Sequence, residues 1–227
     1  MITVHHLADS RSQRILWLCE ELGLDYQVRR YERDPDTMLA PAALKAVHPL
    51  GKSPVIERDG ITLAESGAIV QHLIGLGGPM TPGSPEGVAA DLEWLHAAEG
   101  SVQPLLLMAL LFRLMPERAP ALARPLVRKV ADTAMAGFVT PRLHEQLAHV
   151  NERLRAHDWL AGGDGPTGAD VMMVFPLEAA LARADGMDRY AAIRAYVDRI
   201  WARDAYERAL AKGGPYAYGP PSHRPAS

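Results

Sequence analysis

Gly51-Lys52-Ser53-Pro54-Val55-Ile56, then Glu57-Arg58-Asp59-Gly60, then Ile61-Thr62-Leu63-Ala64-Glu65-Ser66-Gly67-Ala68 form the stretch around which the chain is organised. Val55-Ile56 and Ile61 to Leu63 are β-branched runs parted by Arg58-Asp59-Gly60, and an Asp-Gly pair between two such runs is the strongest short signal for a tight hairpin. Pro54 stands at the mouth of the first strand, one of the few strand positions where a residue without an N–H donor is tolerated. Glu65-Ser66 follow the second strand and open the apolar-periodic segment Ala68-Ile69-Val70 to Leu73-Ile74, which puts a carboxylate and a hydroxyl at a helix N-terminus. Free backbone N–H groups and the positive end of the helix dipole gather there, a suitable place for a polar ligand that carries its own carboxylate.

Upstream, Ile2 to His6 is a short β-type run, followed by the polar cluster Ala8-Asp9-Ser10-Arg11-Ser12, rich in residues that cap helices. Ile15, Leu16, Leu18, Cys19 and Leu22 then fall at helical spacing up to Gly23, which has the place and identity of a helix stop. Tyr26 to Tyr31 alternates like a strand, so this segment is a β-α-β unit whose crossover is expected to be right-handed. Pro41 to Val47 predicts a short helix that ends against His48-Pro49, because the residue before a proline is pushed out of helical geometry. With the hairpin and its helix, residues 1–77 are expected to form an α/β unit on a mixed four-stranded sheet.

Residues 78–87 are rich in proline and glycine, have no apolar period and are expected to be a linker. Residues 88–212 are helical in pattern throughout: Val88 to Met115, Ala121 to His157, Ala169 to Ala184, Tyr190 to Trp201 and Ala205 to Lys212. Pro125 and Pro141 should end or bend the second of these, since an interior proline costs about 3 kcal/mol. Thr167 followed by Asp170 just ahead of Val171 to Leu177 allows reciprocal capping at a helix start. Residues 213–227 are a Pro/Gly-rich tail for which no regular structure is expected.

The 227 residues are 48% hydrophobic and 22% charged, ordinary for a globular protein. A formal charge of -3, from 24 basic against 27 acidic residues with no block of one sign, gives no footprint for nucleic acid or an anionic membrane. The longest apolar run, Pro104 to Phe112, is about half the roughly 20 residues of a membrane span. The N-terminus lacks the pattern of a signal peptide and the single cysteine, Cys19, fits a reducing compartment, so a cytoplasmic location is expected. His5 and His6 have no partner set for a metal ion, and none is expected.

The order of an α/β unit, a linker and an all-helical unit, together with Lys52-Ser53-Pro54-Val55 and Glu65-Ser66-Gly67-Ala68-Ile69, closely resembles the cytosolic glutathione S-transferase superfamily, in its serine-type, bacterial and fungal-like form. The resemblance covers all but the tail, is strongest in the first third, and extends to Gly165-Pro166-Thr167-Gly168-Ala169-Asp170 at the start of a buried helix. It implies a thioredoxin-like N-terminal domain and glutathione as co-substrate. It further implies a cis Pro54, pairing of the Ser53 backbone with the cysteinyl part of glutathione, Glu65 and Ser66 at the γ-glutamyl end, and Lys52 near the glycyl carboxylate, with His48 a further candidate there. Members are commonly homodimers, and the same is expected here.

The serine-type members carry the catalytic hydroxyl four residues before an arginine on the first helix, the spacing of Ser10 and Arg14. A thiol of pKa near 8.5 is only about 3% ionised at pH 7, and the thiolate is the nucleophile. Lowering that pKa by roughly two units requires about 2.7 kcal/mol of differential stabilisation. A hydroxyl donating to the thiolate supplies about 1.5 to 3 kcal/mol and a helix N-terminus up to roughly 2 more. Ser10 is thus expected to act as a donor to the glutathione sulfur and not as a nucleophile. Its local alternative is a helix N-cap, and Ser12 is the rival in the same loop. Cys19 falls on the apolar face of the first helix, as an inert core cysteine would.

The second substrate, an apolar electrophile, is expected between the two units, with Trp94, Glu99, Gln103 and Met108 as candidate lining. The expected activity is that of a glutathione transferase. A glutathione-dependent peroxidase or reductase on the same site, or a non-catalytic binding protein with this fold, are the alternatives.

Overall fold

The structure is a computed structural model that describes residues 1–224. Its sheet half runs β1 (Ile2–Leu7), α1 (Gln13–Glu21), β2 (Tyr26–Tyr31), α2 (Ala42–Val47), β3 (Val55–Arg58), β4 (Ile61–Ala64) and α3 (Ser66–Ile74). The strand order is β2-β1-β3-β4, with β1 parallel to β2 and antiparallel to β3, and β3 antiparallel to β4. The β3–β4 turn is the two-residue hairpin that Asp59-Gly60 implies: both residues have positive φ, 50° and 79°, as a type I′ turn requires. Alternation along β1 divides the two faces. Ile2 and Val4 join Ile15 and Leu16 of α1 and Ile69, Val70 and Leu73 of α3 in the main core, whereas Leu7 packs with Tyr31 and Leu44 under α2.

The helical half begins with α4 (Pro85–Ala97), capped by Ser84, whose Oγ accepts the Gly87 N–H at 3.0 Å. A π-helical turn, Ala98–Val102, joins it to α5 (Gln103–Arg118). A second pair follows the same plan: α6 (Arg124–Ala134), a π turn Met135–Val139, and α7 (Thr140–Ala156). Each π turn is followed at once by a proline in the next helix, Pro104 or Pro141. A proline has no N–H for the i→i−4 bond, and a widened turn just before it lets the rod continue without a break. Pro125 lies in the first turn of α6, where the missing N–H is no loss, so Pro125 and Pro141 mark a start and a bulge within the expected second helix.

Next comes α8 (Gly168–Arg183), in which every residue from Gly168 to Ala180 is buried, followed by α9 (Ala191–Trp201) and α10 (Asp204–Gly213), which packs on α1. The start of α8 carries the expected capping box. Asp170 accepts the Thr167 N–H at 2.8 Å, and its other oxygen takes the Leu160 N–H at 3.0 Å and the Tyr196 hydroxyl at 2.8 Å. Pro85–Arg118 forms one rod of 34 residues, long and apolar enough by length and composition alone to cross a membrane; 28% of its most apolar window is buried. The uninterrupted run from Pro104 to Phe112 understates this rod because small and polar residues interrupt its apolar face.

The segment after α10 departs from the expectation of an unstructured tail. Tyr216 and Tyr218 are buried, and the Tyr216 hydroxyl donates to Glu178 Oε2 at 2.8 Å. Glu178, fully buried in the middle of α8, also takes the Trp201 indole N–H at 2.8 Å and the Tyr206 hydroxyl. Two aromatic rings therefore offset the conformational entropy that proline and glycine content alone would leave unmet.

Burial pushes the Glu178 carboxyl from 4.5 up to about 7, against the pull of its three donors. Because the folded value lies above the unfolded one, the stability it contributes is full below about pH 4.5 and is lost as pH rises through about 7. The loss amounts to about 3 kcal/mol. Chemical denaturation at pH 5 and pH 8 is expected to show this fall, and Glu178→Gln to flatten it.

Candidate active site

A polar cleft with an empty volume of about 900 Å³, open solvent included, lies between the turns before β3, the β4–α3 junction and the α4 rod. His48, Lys52, Ser53, Pro54, Glu65 and Ser66 all line it, so these sequence-selected residues come together on one surface. The Ser53–Pro54 peptide is cis. Ser53 Oγ donates to the His5 carbonyl at 2.8 Å and accepts the Leu7 N–H at 3.2 Å, which ties the cleft loop to β1. Glu65, the residue before α3, has φ 70°, a left-handed conformation that costs a non-glycine roughly 1–3 kcal/mol and is typical of ligand-facing turns. Ser66 beside it is buried, and His48 Nδ1 is buried without a partner among the described residues.

The β1–α1 loop runs along one side of this cleft. Arg11 lines it, whereas Ser10 and Ser12 are buried and line neither it nor the apolar cavity described below. Ser12 directly precedes α1 but makes no side-chain capping bond. Its Oγ lies 2.8 Å from His6 Nδ1, takes the Leu7 N–H at 3.2 Å, and is 2.7 Å from Ser10 Oγ. Ser10 Oγ accepts the Ser12 N–H at 3.2 Å. Burial, helped by the nearby Arg30 guanidinium, pushes His6 down to about 4, with a hydrogen bond to the Gly213 carbonyl opposing it. The imidazole is therefore neutral at pH 7, with one ring N–H and one bare ring nitrogen. The Ser12 hydroxyl thus sits among His6 Nδ1, Ser10 Oγ and the Leu7 carbonyl, which it reaches at 3.3 Å.

Arg14, on the first turn of α1, is fully buried. Its Nη1 donates to the Met172 carbonyl of α8 at 2.7 Å and its Nη2 to Glu99 Oε1, in the π turn between α4 and α5. Arg11 Nε lies 3.2 Å from the same carboxylate oxygen. Burial pulls Arg14 below the usual guanidinium range and Glu99 works against that pull. Glu99 thus belongs to the polar cleft and its ion pairs rather than to an apolar pocket, because the widened turn directs it at α1.

A second, mainly apolar cavity with an empty volume of about 770 Å³, open solvent included, lies between α5, α7, α8 and the tail, with Gln103, Leu106, Leu143, Phe175 and Tyr218 in its wall. Of the residues expected around the second substrate, only Gln103 lines it, with its Oε1 buried and unpartnered. Trp94 is instead a core residue stacked 4.9 Å from His149, and Met108 packs against the core. Both fall on the buried side of the rod, which the helical period alone does not identify when the helix is apolar on several faces. Phe175 stands between the two cavities: its ring is 5.9 Å from the guanidinium carbons of Arg11 and Arg14 and 5.6 Å from Tyr218. Cys19 is fully buried and pushed up to about 12, chiefly by burial, so it supplies no thiolate.

The glutathione S-transferase N-terminal domain model matches residues 10–74 and the C-terminal domain model residues 102–204. Glutathione S-transferase 3 of Schizosaccharomyces pombe is 35% identical over 184 residues, covering 79% of this chain and 74% of that protein. Glutathione S-transferase 1 of Saccharomyces cerevisiae is 32% identical over 228 positions, covering 94% and 97%. The chain belongs to the glutathione S-transferase family. A solved glutathione S-transferase of Actinobacillus pleuropneumoniae superposes with a TM-score of 0.76 at 31% identity, over 94% of this chain and 93% of that one. This protein is a glutathione transferase, with the thioredoxin-like sheet and helical half of that family.

Four residues of the two cavities and the adjoining β1–α1 loop network escaped the sequence reasoning: Arg11, His6, Phe175 and Tyr218. Arg11 is adjacent to Ser10 and could have been weighed with it. The Tyr216-Ala217-Tyr218 spacing is an aromatic signal at odds with a disordered tail. His6 and Phe175 carry no sequence signal of their own. Glu99→Gln is expected to cost about 2 kcal/mol of folding stability by urea titration, below the roughly 3–5 kcal/mol of a broken buried pair, since Glu99 is 35% exposed while Arg14 is 0% exposed.

Proposed function

We propose that this transferase holds glutathione in the polar cleft, stabilises its thiolate with the Ser10 hydroxyl, and presents it to an apolar electrophile in the adjoining cavity. The observation that carries the choice of Ser10 is the state of its neighbour. Ser12 Oγ is engaged by His6 Nδ1 at 2.8 Å, the Leu7 N–H at 3.2 Å and the Leu7 carbonyl at 3.3 Å, whereas Ser10 Oγ hydrogen-bonds only with Ser12 among the described residues, which leaves Ser10 as the loop hydroxyl with fewer competing partners. Ser10 Oγ and Ser12 Oγ lie 2.7 Å apart, a contact of ordinary hydrogen-bond strength that a ligand acceptor can replace. Lys52, with His48 beside it, faces the glycyl carboxylate; the Ser53 backbone pairs with the cysteinyl unit; Glu65 and Ser66 take the γ-glutamyl end. The charges support this assignment, since a glutathione zwitterion brings two carboxylates and one ammonium to a cleft that offers a lysine at one end and an acid at a helix start at the other.

Conjugation, rather than hydroperoxide or disulfide reduction, fits best the apolar walls of the second cavity and the buried, protonated Cys19. The reaction is the removal of reactive apolar electrophiles in a reducing cytoplasm. A homodimer is supported by Leu111 and Met115 on α5 and Leu126 and Val130 on the neighbouring α6, all exposed and one turn apart on their helices. Leu111→Asp is expected to shift the sedimentation coefficient to that of a monomer.

Ser10→Ala should raise the pKa of bound glutathione, read by thiolate absorbance, and slow conjugation of an aryl halide about tenfold or more, the effect of losing roughly 1.4 kcal/mol of thiolate stabilisation. Ser12→Ala should move the thiol pKa far less. The opposite ranking would transfer the role to Ser12, and faster turnover of a hydroperoxide than of the halide would favour the peroxidase reading.

A further inference from the structure

We infer that Asp9 is a positioning residue that couples the C-terminal segment to the Ser10 hydroxyl, an inference that rests on Ser10 being the thiolate donor. Asp9 directly precedes Ser10 and has φ 51°, a left-handed conformation uncommon for a residue other than glycine. Its Oδ1 accepts the backbone N–H of Ala217 at 2.7 Å, so the loop that carries Ser10 and the cleft-lining Arg11 is hydrogen-bonded to a segment more than two hundred residues later in the chain. From the β2 side, Arg33 donates to the carbonyls of Ala8 at 3.1 Å and Asp9 at 3.2 Å. Asp9 is therefore held at its side chain by the tail and at its backbone by Arg33.

The tail is itself fixed on both sides of Ala217. Tyr216 donates its hydroxyl to the buried Glu178 carboxylate at 2.8 Å and its N–H to the His223 carbonyl at 3.0 Å. Tyr218 packs edge-on against Phe175 with centroids 5.6 Å apart and lines the apolar cavity. The polar cleft, by contrast, contains no described residue of the tail. Loss of the tether therefore acts on the donor and on the electrophile's side, while the grip on glutathione is left alone.

The test is a variant series with glutathione affinity, bound-thiol pKa and kcat measured separately. Asp9→Asn keeps an acceptor oxygen and a residue tolerant of the left-handed region, and kcat is expected within about twofold of the parent. Asp9→Gly keeps the backbone freedom and removes the tether; a fall in kcat of about tenfold with glutathione Kd within about twofold is expected. Tyr216→Phe, which leaves Asp9 untouched and frees the tail from Glu178, should lower kcat in the same direction. Parental kcat and thiol pKa in Asp9→Gly would overturn the tether, and a parental Tyr216→Phe would overturn its coupling to the tail. Ser10→Ala run alongside separates the two ideas. A raised thiol pKa there with a silent Asp9 series sinks only the tether, whereas a silent Ser10→Ala with an active Asp9 series overturns Ser10 as the group being positioned.

Discussion

The burial of the Arg14 guanidinium is the constraint on which the two halves depend. A cation taken wholly out of water is tolerable only if its donors are met and its charge is answered. Its charge and both terminal nitrogens are answered from the helical half, by the Met172 carbonyl of α8 and the Glu99 carboxylate of the π turn, while Nε finds no partner among the described residues. Neither half alone could fold α1 with this residue inside. The sheet half therefore cannot drift on the rod without exposing or orphaning the charge, and the polar cleft on one side of Arg14 and the apolar cavity on the other keep a fixed relation.

The helical half solves the same problem twice more with acids. Asp170 and Glu178 sit two turns apart on α8, both fully buried and both pushed upward by burial against several donors. Asp170 serves local folding: its partners at Thr167, Leu160 and Tyr196 close the start of the helix onto its neighbours. Glu178 serves long-range closure, since its partners Trp201, Tyr206 and Tyr216 lie on α9, α10 and the segment beyond. One helix thus carries an acid for each level of organisation, and its otherwise apolar surface leaves both without competition from water.

What was legible in the sequence follows from range. The hairpin at Asp59-Gly60, the proline at a strand mouth and the capping box at Thr167 are local chemistry, written within four residues of where they act, and each appears in the structure where expected. The cleft residues from His48 to Ser66 were gathered on one surface because they lie on turns flanking a single hairpin. The second cavity was poorly legible. Trp94 and Met108 lie on the same rod as Gln103, but the π turn between Trp94 and Gln103 shifts the phase, and a rod apolar on most faces gives no period from which to pick the one that faces a cavity. The tail was illegible by composition, since two tyrosines with a buried carboxylate waiting for one of them outweigh the prolines and glycines around them.

Under the proposed assignment of Ser10 as thiolate donor, the seam between the cavities accounts for the sufficiency of a plain hydroxyl. Arg11 and Arg14 share the single carboxylate of Glu99, which leaves about one unit of uncompensated positive charge beside Phe175, where the polar cleft meets the apolar one. An anion entering there is favoured before any specific donor is considered, and the low polarity of the Phe175 and Tyr218 side makes that field act with less screening than it would in water. A neutral hydroxyl adding about 1.5 to 3 kcal/mol then brings the total to the roughly 2.7 kcal/mol that a two-unit fall in thiol pKa demands. A stronger donor, or a second free cation, would bind the sulfur more tightly but make it a poorer nucleophile, since nucleophilicity falls as the thiol pKa falls. The shared carboxylate therefore tempers the field as much as it neutralises a buried arginine.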